Sequence, residues 1–400
     1  MIYLDNNATT AIDPLVADAI RRVWDLGPLN PSSQHRIGRL ARNLLDEAIS
    51  RLGKALGADV DSPGGDSLVL TSGGTESNQL ALQGLGDPDG PLVISQIEHP
   101  SVLEPARAAA SAGRTVRVIP VDADGRIDLP AARRFIVEAA PRAALVSVMS
   151  ANNETGVIQP IDELARICQE AGVPLHVDAT QTVGKLPFDF GRSGVTAITA
   201  AAHKFHGPAG VGLLLVRSGV ELRPMFRGGE QQLALRAGTE PVALAVGMAE
   251  ALVLAAAHFE TTSRLEALRV RLETGLLASF SELVIHGRDC PRLPGTSCLS
   301  FPGADRQAML MALDMAGVAC SSGSACASGS SRPSHVLAAM GVPDSQIDTA
   351  LRFGFSRFSS LEDCERAIER ISRQYQRLRD RAEVPVENLS ISLDRDPSQT

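Results

Sequence analysis

Short apolar runs alternate with helix-like patterns through the middle of this 400-residue chain. The runs are rich in β-branched residues and are bounded by Gly, Pro, Asp or Ser, so they predict strands, whereas the stretches between them have apolar residues at helical spacing. The predicted strands are Leu68–Thr71, Leu92–Ser95, Val116–Pro120, Ala144–Met149, Pro174–Val177, Thr196–Ala200 and Val211–Val216, and the predicted helices are Glu76–Leu85, Pro100–Ala112, Pro130–Ala139 and Ile161–Ala171.

This alternation predicts an α/β fold with a mostly parallel, seven-stranded sheet covered by helices. Only a short loop, 206–210, precedes the Val211–Val216 strand, so that strand is expected to run antiparallel to its predecessor. After an apolar helix that begins at Val242, the pattern changes to that of a smaller α+β domain. Its predicted elements are helix Ser263–Phe280, strands Leu283–His286 and Ser297–Phe301, helix Asp305–Ala316, a strand near Val318, strand Leu351–Phe355 and helix Leu361–Arg381.

From these elements we expect a large domain over residues 15–258 and a small domain built from residues 1–14 and 259–383. Residues 384–400 are polar and rich in Ser, Asp and Pro, which predicts a disordered tail.

Composition and charge narrow the class of protein. The hydrophobic content of 44% is sufficient for a large core, while the net charge of −8 and the aromatic content of 4% disfavour a nucleic-acid surface. The longest apolar run, 242–257, is short for a membrane span and contains Glu250. The six cysteines form no C-x-x-C pair, and the N-terminus has no signal-peptide pattern. We therefore expect a cytoplasmic protein with no metal, nucleic-acid or membrane partner.

An aspartate and a lysine follow two neighbouring predicted strands. Asp178 ends the run that begins at Leu175, and Lys204 comes shortly after Val195–Ala200. In pyridoxal phosphate (PLP) enzymes a lysine forms a Schiff base with the cofactor, and an aspartate keeps the pyridinium nitrogen protonated so that the ring accepts electrons. Such a pair is more often a surface ion pair, so the interpretation depends on the motifs that accompany it.

Three further motifs have side chains that could bind polar groups. The stretch 71–78 follows a strand and opens a helix, so its amides, with Gly74 and Thr75, suit a phosphate, although a glycine-rich turn is the simpler alternative. His99 could stack on a planar ring and share in proton transfer, or it could simply begin a helix. The run Asn152-Asn153-Glu154 is costly to bury unless it binds something polar, although turns are often rich in Asn.

One cysteine lies among small, flexible residues. Cys326 is in the stretch 320–329, which has no apolar partner to bury a thiol, whereas Cys168 and Cys298 are embedded in core sequence. An exposed, mobile thiol suits nucleophilic attack. The alternative is a linker with an incidental thiol.

Together, and in this order, these motifs resemble the cysteine desulfurases of the class V aminotransferase group, which have PLP fold type I. The resemblance extends from Met1 to about Arg381 and includes Tyr3–Thr10, Asn30–Ser33, Arg236–Glu240 and Leu351–Phe353. The sequence Ser-Ser-Gly-Ser-Ala-Cys at 321–326 resembles the loop of the subgroup that has a long cysteine loop. Proteins of that subgroup typically transfer sulfur to iron–sulfur scaffold proteins.

The resemblance implies a role for each matching position. Lys204 would carry PLP, Asp178 would meet the pyridine nitrogen, and His99 would stack on the ring and take part in catalysis. The other implied roles are Gln181 and Asn153 near the ring hydroxyl, Gly74, Thr75 and His203 at the phosphate, Thr239 at the phosphate from the second subunit of a homodimer, Asn153 and Arg352 at the substrate, and Cys326 as the acceptor of sulfur.

The chain departs from the family pattern in three regions. Alanines occupy 200–202, where a serine phosphate ligand is usual, Ala209 replaces a common lysine, and Pro241 replaces a usual asparagine. None of these changes removes a catalytic group.

The resemblance therefore implies a homodimeric, PLP-dependent L-cysteine desulfurase that forms L-alanine and a persulfide on Cys326, for supply of iron–sulfur clusters or thio-cofactors. One alternative is a related class V lyase or aminotransferase acting on selenocysteine or cysteine sulfinate, although a plain aminotransferase needs no thiol. The other is a non-catalytic partner platform of the same fold, which the presence of Lys204, Asp178 and Arg352 disfavours. The sequence does not identify the sulfur acceptor.

Overall fold

The computed structural model describes residues 1–323 and 333–382. The strands are β1 (Ile2–Tyr3), β2 (Ser67–Thr71), β3 (Leu92–Ser95), β4 (Val116–Ile119), β5 (Leu145–Met149), β6 (Leu175–Asp178), β7 (Ala197–Ala201), β8 (Gly212–Val216), β9 (Val284–Ile285), β10 (Thr296–Ser300), β11 (Val318–Ala319) and β12 (Ala350–Gly354). The α-helices are α1 (Pro14–Trp24), α2 (Arg36–Leu56), α3 (Gly74–Gly84), α4 (Pro100–Ser111), α5 (Leu129–Arg133), α6 (Ile161–Ala171), α7 (Phe190–Ser193), α8 (Val242–Ala257), α9 (Thr262–Ser279), α10 (Arg306–Met315), α11 (His335–Ala339), α12 (Asp344–Ile347) and α13 (Leu361–Ala382).

A seven-stranded sheet with the order β2-β8-β7-β6-β5-β3-β4 confirms the predicted α/β fold. Strands β7, β6, β5, β3 and β4 pair in parallel. Strand β8 runs antiparallel to both β7 and β2, so the predicted exception is confirmed. The physical reason is the short connection after β7, which cannot make the crossover that a parallel pair requires.

Helices cover both faces of this sheet. Helix α8 packs against α1 and α2, and its buried side chains join those of the strands in one large core. The approach of α1 to α8 depends on Gly247, because a Cβ atom there would lie 2.5 Å from Cδ1 of Ile20. Helices α3 and α4 pack together, with buried residues that join strand side chains in a second core.

No single helix in the described part of the chain is long and apolar enough to cross a membrane. The segments 242–257 and 259–279 reach that length and composition only as a pair, with a bend of 56° between them. Helix α8 is instead packed into the protein core, as its sequence predicts.

The predicted α+β elements form a second, smaller core. Strands β9, β10 and β12 make an antiparallel sheet, and β1 pairs in parallel with β11. Helices α9, α10 and α13 contribute buried side chains to this core, which includes Ile2 and Leu4 from the N-terminal segment. The elements lie where the sequence predicts them, within a few residues at each end. The exact division into domains at residue 258 stays a prediction, and the tail 384–400 lies outside the described residues.

Two long helices, α1 and α2, have no counterpart among the predicted elements. Their signals are nevertheless in the sequence, because Asp13 accepts a hydrogen bond from the amide of Leu15, and Pro14 is the first helical residue. Helix α2 ends at Gly57, which adopts a left-handed conformation with φ of 68°. The predicted helix Pro130–Ala139 is α-helical only in α5, and 134–138 continue as a π-helix.

The small core offers a matched test of packing on one helix. Leu313 on α10 is fully buried, whereas Met311 on the same helix is 60% exposed. We expect Leu313→Ala to lower the free energy of unfolding by about 2–5 kcal/mol, because it leaves a cavity, and Met311→Ala to change it by less than about 0.5 kcal/mol. Urea denaturation followed by circular dichroism measures both changes. Equal effects of the two substitutions would contradict this packing.

Candidate active site

A cavity of about 230 Å³ lies where several strands of the large sheet end. In open α/β sheets, ligands bind at the carboxyl ends of the strands. Its lining comes from the segments that follow β2, β3, β5, β6 and β7, from the N-terminal segment, and from β12. The lining residues are Asn7, Ala8, Gly74, Thr75, Asn78, His99, Ser101, Met149, Ala151, Asn153, Asp178, Thr180, Gln181, Ala201, His203, Lys204, Gly323 and Arg352.

Asp178 is the last residue of β6, and its carboxylate is buried and held from two sides. Asn78 of α3 donates from Nδ2 to Oδ2 at 2.7 Å, and the Thr180 amide donates to Oδ1 at 3.0 Å. Asn78 Nδ2 also donates to Ser101 Oγ at 2.8 Å, which connects α3 to the start of α4. A buried carboxylate must be compensated by hydrogen bonds or positive charge, so these contacts fix the position of a charge that favours a cationic partner in the cavity.

Lys204 follows β7 within one turn, and its side chain contacts the N-terminal segment. Its Nζ donates to the carbonyl oxygens of Asn7 and Ala8, each at 2.7 Å. Lys204 lines the cavity, and these two carbonyl groups hold its amine there. The structure therefore brings the predicted lysine and aspartate to one cavity.

His99 caps the N-terminus of α4 and also lines the cavity. Its Nδ1 accepts from the Ser101 amide at 3.1 Å, so the neutral ring carries its proton on Nε2. Burial is the main cause that lowers the pKa of His99 below its usual value, and the charges of Lys204 and Arg352 lower it further while Asp178 opposes them. The imidazole is therefore neutral near pH 7.

The start of α3 provides a site for an anion. Gly74 and Thr75 form its first turn, where backbone amides have no partner within the helix. The Thr180 hydroxyl lies close by, because a Cβ atom on Gly74 would be 3.3 Å from Thr180 Oγ1. Ala201 also lines this cavity, in the region where a serine is usual in the family. Its methyl group provides no hydroxyl that could bind a phosphate.

His203 is a further lining residue whose ring is neutral. Burial, together with the positive charges of Lys204 and Lys185, lowers the pKa of His203 to about 4. Its Nδ1 lies 3.2 Å from the hydroxyl oxygen of Thr9. A neutral imidazole here can hydrogen-bond a ligand without adding charge.

Arg352 on β12 brings the small core to the same cavity. Its guanidinium donates from Nη2 to Asp5 Oδ1 at 2.7 Å and from Nη1 to the Asn153 carbonyl at 3.0 Å. Its Nε has no hydrogen-bond partner among the described residues, although it is buried. Asn153 and Arg352 are thus brought together, as the sequence predicts for a substrate-binding pair.

One predicted site residue, Thr239, does not line this cavity, and another, Cys326, lies outside the described residues. Thr239 is exposed and does not line the cavity of its own chain. Cys326 lies outside the described residues, and Gly323, the last described residue before it, does line the cavity. Their predicted roles, like those of the other site residues, stay predictions.

Four residues of this region were missed by the sequence reasoning. Asn78 belongs to a motif noted in the sequence, but its contact with Asp178 depends on the packing of α3 against the sheet. Ser101 lies two residues after His99 and could have been found as part of a helix cap. Asn7 acts through its carbonyl oxygen, which no side-chain pattern reveals. Glu98 is fully buried beside His99, where its Oε1 accepts from the Met149 amide at 2.9 Å.

The donor set of the cavity fits PLP. Two buried polar atoms in its lining, Asn78 Oδ1 and Thr180 Oγ1, have no hydrogen-bond partner among the described residues, and such atoms are costly unless a polar ligand satisfies them. A lysine amine, a buried carboxylate and a helix N-terminus are the groups that an aldehyde, a pyridine nitrogen and a phosphate require. The part of the chain that the structure describes contains no cluster of side chains suited to a metal ion.

This sheet and this set of side chains define a PLP-dependent enzyme of fold type I. The chain belongs to the class-V aminotransferase family, whose model, described as "Aminotransferase class-V", matches residues 2–367. The predicted family and fold type are therefore confirmed, and so is the dependence on PLP.

Similar proteins of known name share most of the chain. It is 42% identical over 373 residues to a cysteine desulfurase of Gluconacetobacter diazotrophicus, covering 92% of each protein. It is 39% identical over 374 residues to the cysteine desulfurase NifS of Azotobacter vinelandii, covering 92% of this chain and 91% of that protein. The crystal structure of a NifS-like protein from Rickettsia africae matches with a TM-score of 0.85 and 33% identity, covering 94% and 99% of the two chains.

The buried Glu98 predicts a measurable pH dependence of stability. Burial raises the pKa of Glu98 to about 8, so this carboxyl keeps its proton in the folded protein while an unfolded chain loses it above its ordinary value of 4.5. The folded state then binds more protons than the unfolded state between about pH 4.5 and 8, and the stability contribution of Glu98 falls as the pH rises through that window.

Glu98→Gln removes this titration but keeps an oxygen for the Met149 amide. We expect the stability of the variant relative to the unmodified protein to increase steadily from pH 5 to pH 8, as measured by urea denaturation at several pH values. A difference that does not change with pH would show that Glu98 does not titrate in this way.

Proposed function

We propose that this protein is a cysteine desulfurase that uses PLP to convert L-cysteine to L-alanine and leaves the sulfur as a persulfide on Cys326. The observation that carries the proposal is the convergence of Lys204, Asp178 and Arg352 on one cavity. The similarity of the whole chain to cysteine desulfurases supports the choice of substrate.

Each end of the cavity has residues that would hold one part of PLP. Lys204 would hold the aldehyde carbon, Asp178 the pyridine nitrogen, and the first turn of α3 with Thr75 and His203 the phosphate. His99 would lie against the ring. When bound, PLP supplies an electron sink that stabilises negative charge at the Cα atom of an amino acid.

Proton transfer falls to the side chains that line the cavity. Lys204 is an amine that can accept a proton from Cα and return it, because it lies at the cavity wall. The imidazole of His99 is neutral near pH 7 because burial lowers its pKa, and it would accept a proton on Nδ1 by releasing the Ser101 amide that now donates to that atom. These two groups are the proposed acid–base pair of the site.

Arg352 is the proposed clamp for the substrate carboxylate. A guanidinium can bind a carboxylate by two parallel hydrogen bonds, and Arg352 already donates one hydrogen bond to the carboxylate of Asp5. Its Nε has no partner among the described residues, so it could donate to an incoming carboxylate. The substrate carboxylate would either bind Arg352 together with Asp5 or displace Asp5 from Arg352.

The sulfur step needs a thiol that can reach the substrate and ionise. The Cys326 thiolate would attack the substrate sulfur, so that an S–S bond forms, the C–S bond breaks, and a proton adds to the carbon that becomes the methyl group of alanine. Burial raises the pKa values of Cys168, Cys298 and Cys320 to about 12, so these thiols stay protonated and are poor nucleophiles. Burial therefore makes these three thiols unsuited to the step, and Cys326 is the proposed acceptor.

The proposal includes a homodimer in the cytoplasm that passes its persulfide sulfur to an acceptor such as an iron–sulfur scaffold protein. Thr239 is exposed and does not line the cavity of its own chain, which is compatible with a role at the phosphate of a second subunit. The names of the relatives support the sulfur chemistry but do not identify the acceptor.

A conservative change at the clamp tests the proposed substrate contact. Arg352→Lys keeps the charge but cannot make two parallel hydrogen bonds, so we expect KM for L-cysteine to rise about tenfold or more while PLP still binds. Steady-state sulfide release gives KM, and the visible absorbance gives PLP content. Loss of PLP with an unchanged KM would instead make Arg352 a cofactor residue.

The two cysteines at the ends of the stretch 320–326 provide a matched pair for the sulfur step. We expect Cys326→Ser to abolish sulfide release from L-cysteine and Cys320→Ser to leave it nearly unchanged. Mass spectrometry after brief exposure to L-cysteine should locate one additional sulfur on Cys326. Sulfide release by the Cys326→Ser variant at the rate of the unmodified protein would overturn the proposed function.

A further inference from the structure

A second lysine lies beside the proposed cofactor site and has no role so far. The sequence contains three lysines, of which Lys204 is the proposed cofactor residue and Lys54 is at the surface with 74% of its side chain exposed. Lys185 follows β6 in the chain, and its Nζ donates to Gln181 Oε1 at 2.6 Å. Gln181 lines the cavity, so Lys185 contacts the site through one side chain.

Hydrogen bonds connect the two lysines through Gln181 and Asn7. Gln181 Nε2 donates to the carbonyl oxygen of Asn7 at 3.0 Å, and Lys204 Nζ donates to the same oxygen at 2.7 Å. The order along this chain of contacts is therefore Lys185, Gln181, Asn7 and Lys204. Each contact has a defined donor and a defined acceptor.

These contacts fix which way the amide of Gln181 faces. An ammonium group has only donors and a carbonyl oxygen has only lone pairs, so Lys185 requires the amide oxygen and Asn7 requires the amide nitrogen. If the Gln181 amide were rotated by half a turn, its N–H groups would face the ammonium of Lys185 and its oxygen would face the carbonyl oxygen of Asn7. Both hydrogen bonds would then be lost.

The fixed amide leaves one N–H of Gln181 for a ligand. Its first N–H is used by Asn7, and the second remains as a donor at a cavity-lining residue that is 5% exposed. An anionic oxygen is the partner that such a donor favours. The ring hydroxyl of PLP, which loses its proton readily, provides such an oxygen.

We propose that Lys185 is a positioning residue that fixes the Gln181 amide as a hydrogen-bond donor toward the ring-hydroxyl oxygen of PLP. The inference rests on the proposed function, because it needs PLP in this cavity. It goes beyond that function because it assigns a task to a lysine that does not line the cofactor cavity itself.

The charges around Lys185 are consistent with this task. Burial, and then the charges of Lys204 and Arg352, lower the pKa of Lys185 to about 7. His203 and His206 also face it, and both are neutral near pH 7 because burial lowers the pKa of each to about 4. A neutral amine keeps N–H donors for Gln181 but gains a lone pair, so as the pH rises the Asn7 carbonyl, which can only accept, is the contact that maintains the orientation of the amide.

A double-mutant cycle separates positioning from a direct effect of charge. The variants are Lys185→Met, Gln181→Met and the double substitution, with Lys54→Met as the matched control at the surface. The readouts are the pH midpoint of the visible absorbance of bound PLP and the dissociation constant of PLP from the apoprotein. Thermal unfolding checks that every variant folds.

We expect Lys185→Met to raise the absorbance midpoint by about half to one pH unit and to weaken PLP binding about 3- to 10-fold. The sign follows because a donor to the ring oxygen stabilises its negative charge and favours proton loss from the bound cofactor. Gln181→Met should have a similar effect, and the double variant should show little further change. Lys54→Met should behave like the unmodified protein.

Lys185→Met is introduced both into the unmodified protein and into the Gln181→Met variant. If it shifts the absorbance midpoint equally in both, Lys185 acts by charge or packing and the inference is overturned. If Lys185→Met does not fold, Gln181→Glu serves instead, because it keeps an oxygen for Lys185 but removes both N–H donors. An unchanged midpoint in Gln181→Glu would also overturn the inference. Absence of bound PLP from the unmodified protein would contradict the proposed function itself, which is a separate result.

Discussion

The buried carboxylate of Asp178 is the constraint on which the site depends. It lies at the end of β6, where Thr199 of β7 is its cross-strand neighbour, so the parallel register fixes how far it is from Lys204 a few residues later. Asn78 and the Thr180 amide satisfy both of its oxygens from the protein side. A buried negative charge that is held in this way favours a nearby cation, and Lys204 and Arg352 are positive groups that line the same cavity.

The same constraint explains why the cavity needs parts from the whole chain. The sheet positions Asp178 and Lys204, the N-terminal segment provides the carbonyl oxygens that hold the lysine, and β12 brings Arg352. Glu98 is buried beside His99 and stays protonated near neutral pH, because burial raises its pKa to about 8. The charged groups nearest the cavity are therefore few, and each is held by hydrogen bonds.

Much of the fold could be predicted because its signals are local. The predicted strand Leu92–Ser95 and the predicted helix Ile161–Ala171 match the structure at both ends. In each, the spacing of apolar residues along the sequence reflects which side chains are buried. Helices α1 and α2 were missed although caps at Asp13 and Gly57 mark them. For these helices the signal was present and was not used.

The site could be predicted only in part, because several of its contacts join residues far apart in the chain. Lys204 and Asp178 were indicated by their positions after two predicted strands and Arg352 by a family resemblance, and the structure brings all three to one cavity. The pairing of Arg352 with Asp5, the hold of the Asn7 carbonyl on Lys204, and the contact of Lys185 with Gln181 depend on packing between elements. A one-dimensional pattern does not record such contacts.

Lys204 is the proposed PLP-binding residue, and the presence of only three lysines in the sequence makes a direct measurement practical. The protein purified with PLP would be reduced with borohydride, digested and analysed by peptide mass spectrometry. We expect a phosphopyridoxyl group on the peptide that contains Lys204 and none on the peptides that contain Lys185 or Lys54. A phosphopyridoxyl group on Lys185, or on no lysine, would contradict this assignment.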